Sequence, residues 1–205
     1  DDSVSDVASP GCSKIGISDL GESAINLPTS MKRTATIILL ACLASLLSVS
    51  AAEFEVAGMK FSAPKEFTAV KPKSAMRKAQ FAVDQLAMKG EIVFFYFGPG
   101  GAGGVEANVK RWLGQFDEPK EQLNAKTEKT KAGDVAVTFV SAQGTFLTGP
   151  PGDVPILIPG WALLGAIIES KQGAIFAKFT GPRATVEANS KAFRKMIPAA
   201  KPTKP

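Results

Sequence analysis

Histidine is absent from all 205 residues of the chain, and cysteine occurs only at Cys12 and Cys42. Without histidine the commonest general base, metal ligand and catalytic-triad member is missing. From residue 53 onward there is no cysteine either, so that part has no disulfide, thiolate nucleophile or thiolate zinc site. A carboxylate pair, a Ser-Lys arrangement or a carboxylate-held calcium or magnesium ion is still available, but none has a visible motif. We therefore expect a protein that is not an enzyme, without catalytic residues, metal or cofactor.

The densest group of acidic residues gives no reason to revise that expectation. Asp117, Glu118 and Glu121 follow a predicted helix and precede a polar stretch. Carboxylates in such a position are ordinarily solvated surface charge. A hydrolase built on carboxylates alone is therefore the weakest functional hypothesis that we keep.

Residues 31–52 carry the three parts of a secretory signal peptide. Residues 31–33 are a basic start, residues 37–47 contain an apolar run, and residues 48–52 supply the small side chains that a signal peptidase needs. We expect an exported protein, either periplasmic or secreted.

Two alternatives to a cleaved leader stay open. The segment 34–52 could remain as a membrane anchor, although it is only marginally long enough to cross a bilayer. The sequence before Cys42 also faintly resembles a lipoprotein cleavage box. We interpret the polar segment 1–30 as non-native upstream sequence or a disordered region, residues 53–198 as a single domain, and residues 199–205 as a basic Pro/Lys tail.

The part of the chain after the leader is basic. Of the 24 basic and 19 acidic residues, three and five respectively precede residue 53, which leaves 21 basic and 14 acidic residues and a net charge of +7. A basic exported protein can lie against anionic lipid or cell-wall polymer. Because no run of five basic residues occurs, the ordinary interpretation is a scattered solvated surface, and nucleic acid is not expected as a partner.

Hydrophobic spacing predicts alternating strands and helices. In the first half we expect two short strands around Ala57-Gly58, a third strand at residues 79–83, a central strand at 91–97 that is apolar on both faces, and a helix over 105–116. In the second half we expect strands at 135–139 and 143–146, a hairpin that pairs 162–169 with 174–179, and a final helix from about Thr185 to Pro198. The fold class that follows is α+β, an antiparallel β-sheet flanked by helices.

One stretch of sequence resembles known proteins. The segments Phe97-Gly98-Pro99-Gly100, Gly103-Gly104-Val105-Glu106-Ala107-Asn108, Arg111-Trp112 and Gln115-Phe116, with residues 76–81 upstream and 180–182 downstream, resemble a group of uncharacterised exported bacterial proteins. The order of elements over residues 54–198 is similar to the PsbP-like family. That resemblance implies an α/β/α sandwich and a noncatalytic accessory role, since PsbP members assist the assembly or stability of membrane complexes. It assigns no ligand-binding residue to this chain.

The first candidate site is a glycine-rich loop. Gly98, Gly100 and Gly103 satisfy G-x-G-x-x-G between a strand and a helix, where backbone N–H groups can hold an anion. As a dinucleotide fingerprint the loop is poor, because Pro99 removes an N–H and the strand does not open a parallel β-α-β unit. The alternatives are a site for another small anion and a tight turn without a ligand. The candidate residues are Gly98, Gly100, Gly101, Gly103, Gly104, Asn108 and Arg111, whereas Trp112 is expected in the core.

The second candidate site is the connection over residues 147–161. Residues 149–152 are glycine and proline and prevent regular structure, yet residues 154–161 are too apolar for an ordinary solvated loop. We prefer a lid packed over the core to a patch offered to a membrane or a protein partner. The candidate partner-surface residues are Ile156, Leu157, Ile158 and Trp161.

Together these patterns favour an exported, noncatalytic accessory or interaction protein of the bacterial cell envelope. Its partner would be an envelope protein or a membrane surface. The main alternative is a soluble binder of a small anionic or amphiphilic ligand, held by the glycine-rich loop or by the cleft beneath the apolar connection.

Overall fold

The computed structural model of the chain describes residues 52–85, 88–150 and 152–203. These residues form an α+β fold of mostly antiparallel strands with two α-helices. The elements are β1 (Ala52–Val56), β2 (Met59–Ala63), β3 (Thr68–Ala69), β4 (Arg77–Gln85), β5 (Met88–Tyr96), α1 (Val105–Leu113), a 3₁₀ turn (Lys120–Gln122), β6 (Lys126–Ala132), β7 (Val135–Thr148), β8 (Ile156–Ser170), β9 (Gly173–Pro182), α2 (Arg183–Met196) and β10 (Lys201–Pro202). The segment 1–30 and all but the last residue of the predicted signal peptide, 31–52, lie outside the described residues.

The strands form two antiparallel sheets. The large sheet has seven strands in the order β3-β4-β5-β9-β8-β7-β6, and the small sheet has the order β1-β2-β10. The predicted hairpin after residue 162 is confirmed, since Glu169 pairs with Ala174 and Leu164 pairs with Phe179. The predicted central strand is confirmed as well, because β5 lies between β4 and β9.

Apolar side chains cover both faces of the large sheet, because successive residues of a strand point to opposite sides. Phe94 lies in the core cluster that contains Phe193 of α2, and its neighbour Phe95 packs against the cluster that contains Trp112 of α1. Phe193 is fully buried, with its ring centroid 5.9 Å from that of Phe179. The core position predicted for Trp112 is confirmed.

Residues 143–146 belong to a strand as predicted, but not to a separate one, and the predicted connection over 147–161 is too long. The strand predicted at 143–146 is the continuation of β7, which runs from residue 135 to 148 and has a register shift between Gly144 and Phe146. The connection predicted over 147–161 is mostly strand, because Leu147 and Thr148 pair with Leu157 and Ile156. The described residues 149–150 and 152–155 lie between the two strands. Gly149, Pro150, Gly152 and Pro155 lie in this connection, whereas Pro159 and Gly160 fall within β8, where its pairing with β7 is irregular. The β-branched residues Ile156 and Ile158 pair as part of the strand.

Two further elements lie in segments for which no strand was predicted. β6 occupies a polar stretch and pairs along its whole length with β7. In the segment 199–205, Lys201 and Pro202 pair with β2, and the Thr203 N–H donates to the carbonyl of Gly58 at 2.9 Å. Within the described ranges, no helix is long and apolar enough to cross a membrane.

Candidate functional site

The ends of β7 and β8 form a two-stranded ribbon. Its last pairs are Phe146 with Ile158, Leu147 with Leu157 and Thr148 with Ile156. On the other side of β8, pairing with β9 extends only as far as Trp161, which lies opposite Pro182. We refer to residues 148–150 and 152–158 as the ribbon tip.

The ribbon tip exposes large apolar side chains. Val154 is 88% exposed, Ile156 60% and Leu157 56%. The interpretation of this segment as a packed lid was therefore wrong for these three residues. Ile158 and Trp161 are half-buried, so two of the four predicted partner-surface residues face outward and two lie nearer the body of the protein.

The base of the ribbon is aromatic. The rings of Phe146 and Trp161 stack, with centroids 6.4 Å apart and planes inclined at 29°. Phe146 also packs edge-on against Phe116, which follows α1, at 5.4 Å. The Leu147 N–H donates to the carbonyl of Gln115 at 2.8 Å, so the ribbon base is fixed to the segment that leaves α1.

The glycine-rich loop is a tight turn held by Asn108. Gly98, Gly100 and Gly103 have φ values of 86°, 68° and 74°, in the region that favours glycine. The buried Asn108 side chain donates to the carbonyls of Ala102 at 2.8 Å and Gly104 at 2.9 Å.

Arg111 completes this arrangement and does not point to a free site. Its guanidinium donates to the Asn108 Oδ1 at 2.9 Å. Gly101 has a steric role, because a side chain there would collide with the Phe97 carbonyl. These contacts account for Gly101, Asn108 and Arg111 as parts of a turn. Anion binding by the loop, including Gly104 at the start of α1, stays a prediction.

Glu118 is not a freely solvated acid. Both of its carboxylate oxygens accept the Thr145 N–H at 2.8 Å, beside the irregular part of β7. This backbone hydrogen bond holds the pKa of Glu118 below its ordinary value of 4.5. In the portion of the chain covered by the structure, no group of three or more acidic residues is placed to hold a metal ion.

Lys178 is a feature that the sequence reasoning missed. It lies in the middle of β9 and lines a pocket of about 400 Å³ at the ribbon base. The sequence signal is a single lysine inside the otherwise apolar run 174–179. The charged residues around the pocket are Arg77, Lys89, Glu91 and Lys178, and its apolar residues include Phe146, Leu147, Ile158 and Trp161.

Comparison with known proteins finds structural neighbours only. No family model matches the chain, and no curated protein matches it. The solution structure of the cyanobacterial PsbP protein CyanoP from Synechocystis sp. PCC 6803 is similar, with a TM-score of 0.49 and 10% identity over 77% of this chain and 96% of that chain. The crystal structure of the protein of unknown function PA94 from Pseudomonas aeruginosa is also similar, with a TM-score of 0.39 and 13% identity. The match covers 76% of this chain and 99% of that chain. Neither similarity assigns a family or a function to this chain.

Proposed function

We propose that this protein is an exported, noncatalytic interaction protein of the bacterial cell envelope, and that the ribbon tip docks on a membrane surface. The observation that carries this proposal is the exposure of Val154, Ile156 and Leu157 at the end of a paired ribbon. Adjacent exposed apolar residues on a defined element are typical of an interaction surface.

The area available at the tip suits shallow lipid insertion. Burial of a whole Val, Leu or Ile side chain contributes roughly 1.5–3 kcal/mol. At their observed exposures the three side chains would together contribute about 3–6 kcal/mol, which corresponds to reversible attachment. A stable protein interface needs about 800 Å² from each partner, which is more than three side chains provide.

The charge distribution favours an anionic membrane. Between residues 146 and 161 the only charged residue is Asp153, whereas the chain from residue 53 onward carries a net charge of +7. Arg77 and Lys89 line the pocket at the ribbon base beside Leu147 and Thr148. Each Lys or Arg near an anionic surface contributes about 1 kcal/mol. Trp161 at the ribbon base is of the type that favours the membrane–water interface. Binding should therefore require anionic lipid and weaken as salt is raised.

Sedimentation with lipid vesicles tests the proposal. The purified protein would be mixed with phosphatidylcholine vesicles, with and without phosphatidylglycerol, beside a variant with Val154→Ser, Ile156→Ser and Leu157→Ser. We expect binding to the anionic vesicles that falls at least tenfold in this variant. The control is Val70→Ser with Met76→Ser, which removes two exposed apolar side chains elsewhere.

Two results would count against membrane docking. One is equal sedimentation of the tip variant and the control. The other is capture of an envelope protein that depends on the tip while the vesicles stay unbound, which would assign the tip to a protein partner.

A further inference from the structure

The pocket at the ribbon base contains a lysine, Lys178, that forms no ion pair with any described acidic residue. The Lys178 amine donates to the Gln115 Oε1 at 2.5 Å and lies 5.3 Å from the centre of the Phe146 ring. Across the described part of the chain, no carboxylate forms an ion pair with Lys178 within 4.0 Å. A partly buried amine without a counterion is unfavourable, so the pocket attracts an anion.

The nearest acidic residue is engaged with other groups. Glu91 accepts hydrogen bonds from Arg77 at 3.1 Å and from Gln80 at 2.7 Å. The charged wall of the pocket comprises three basic residues, Arg77, Lys89 and Lys178, and the single acid Glu91. Desolvation lowers the pKa of Lys178 to about 8, and Glu91 opposes this shift whereas Arg77 adds to it.

Another part of the pocket lining is apolar. Phe146, Ile158 and Trp161 lie there, and the volume of about 400 Å³ is within the range of small-molecule sites. A ligand that matches the charged and the apolar residues of the lining needs one negative charge and an adjoining apolar body.

We propose that this pocket binds a small free amphiphilic anion, with its carboxylate paired to Lys178 and its apolar body against Phe146, Ile158 and Trp161. Binding would give Lys178 an ion pair, which it lacks among the described residues, and would bury the apolar side chains of the lining. This site is separate from the glycine-rich loop, and it does not depend on the membrane docking proposed for the ribbon tip.

Calorimetric titration with octanoate tests this inference. Octanamide, which has the same chain without the charge, and inorganic phosphate, which has the charge without the chain, are the matched ligands. We expect octanoate to bind at least tenfold more tightly than either. Lys178→Met, which keeps an apolar stem in the pocket, should lower the affinity for octanoate at least tenfold. Lys171→Met, on the exposed β8–β9 turn, should leave that affinity unchanged.

A second measurement needs no variant. At pH 8.5 a carboxylate that pairs with Lys178 should draw a proton onto the amine. Calorimetry in buffers of different ionisation enthalpy should therefore show uptake of a fraction of a proton for each octanoate bound to the unmodified protein.

Several results would overturn the inference. They are absence of octanoate binding at millimolar concentration, equal affinity for octanamide or phosphate, no proton uptake at pH 8.5, and unchanged affinity in folded Lys178→Met. The last result would place octanoate elsewhere, for example in the groove of about 970 Å³ that α1 forms with β6 and β7.

Discussion

The indole ring of Trp112 occupies the space that a side chain at Gly165 would fill. A Cβ atom built on Gly165 would overlap Cζ3 of the indole. Trp112 belongs to α1 and Gly165 to the middle of β8, so the absence of a side chain lets the helix approach the sheet.

Gly165→Ala should displace Trp112 and destabilise the protein. Overpacking of a core typically costs about 1–3 kcal/mol, and denaturant unfolding would measure it. Gly104→Ala is the control, because no atom lies within 4 Å of a Cβ at that position. Adding Trp112→Phe to Gly165→Ala should recover part of the loss, since the two residues are in contact. Strictly additive effects of the two substitutions would contradict this packing.

The side-chain N–H groups of Asn108 should stabilise the glycine-rich loop through the hydrogen bonds that they donate to its carbonyls. Asn108→Asp keeps the shape and the acceptor for Arg111 but cannot donate to the carbonyls of Ala102 and Gly104. We expect Asn108→Asp and Asn108→Ala each to lower the free energy of unfolding by about 1–3 kcal/mol. Arg111→Met should lower the free energy of unfolding by less than either Asn108 variant does. Wild-type stability in Asn108→Asp would show that the loop does not depend on these hydrogen bonds.

Because of Lys178, the free energy of unfolding of the wild type should rise with pH when it is compared with that of Lys178→Met. The pKa of Lys178 is about 8 in the folded protein against an ordinary value of 10.5. Between these two pH values the unfolded chain binds more protons at this amine than the folded protein does. Deprotonation removes the cost of burying a charged amine, so it stabilises the folded state relative to the unfolded one. The free energy of unfolding of the wild type, relative to Lys178→Met, should increase from pH 8 to pH 10.5. The increase is at most about 3 kcal/mol, and partial solvation of the amine reduces it.

This titration can be followed by urea unfolding of both proteins at pH 7, 8.5 and 10. Other groups that titrate over the range cancel in the comparison. A difference that stays constant with pH, or that changes in favour of Lys178→Met, would contradict the lowered pKa of Lys178.

Glu118 should stabilise the irregular part of β7 around Thr145 at neutral pH and lose this effect in acid. Because its folded pKa lies below its ordinary value of 4.5, the stabilisation is complete above that pH and disappears as pH falls through the folded pKa. Glu118→Ala should therefore be less stable than the wild type at pH 7, with a difference that shrinks in acid. Glu121→Ala controls for the change in net charge. If the difference in stability between the wild type and Glu118→Ala grows below pH 4.5, the pKa of Glu118 is not lowered on folding and the prediction is wrong.

Sequence patterns predicted the elements whose side chains contact the core. β5 is apolar on both faces, β4 alternates, and Trp112 lies in the apolar stripe of α1, so local spacing alone indicated them. β6 was missed because all but the last of its seven residues are exposed. Its polar sequence shows no alternation, and its position is fixed by pairing with β7 rather than by burial.

The candidate sites were less predictable because they depend on contacts between distant residues. Glycines and prolines correctly indicated a turn after Thr148, but the extent of the ribbon depends on the register between β7 and β8. Nothing local shows that Lys178 lies beside Gln115, 63 residues earlier, or under the ribbon base. The lone lysine in an apolar strand was the one available signal.

Environment-sensitive fluorescence at the ribbon tip tests membrane docking most directly. Residues 53–205 contain no cysteine, so a protein of these residues with Val154→Cys carries one labelling site. Lys171→Cys, directly after the opposite end of β8, provides the control. A label at residue 154 should become brighter and shift to shorter wavelength with anionic vesicles, whereas a label at residue 171 should not. Equal responses at both positions, or no response at 154 while the protein sediments with the vesicles, would contradict docking through the ribbon tip.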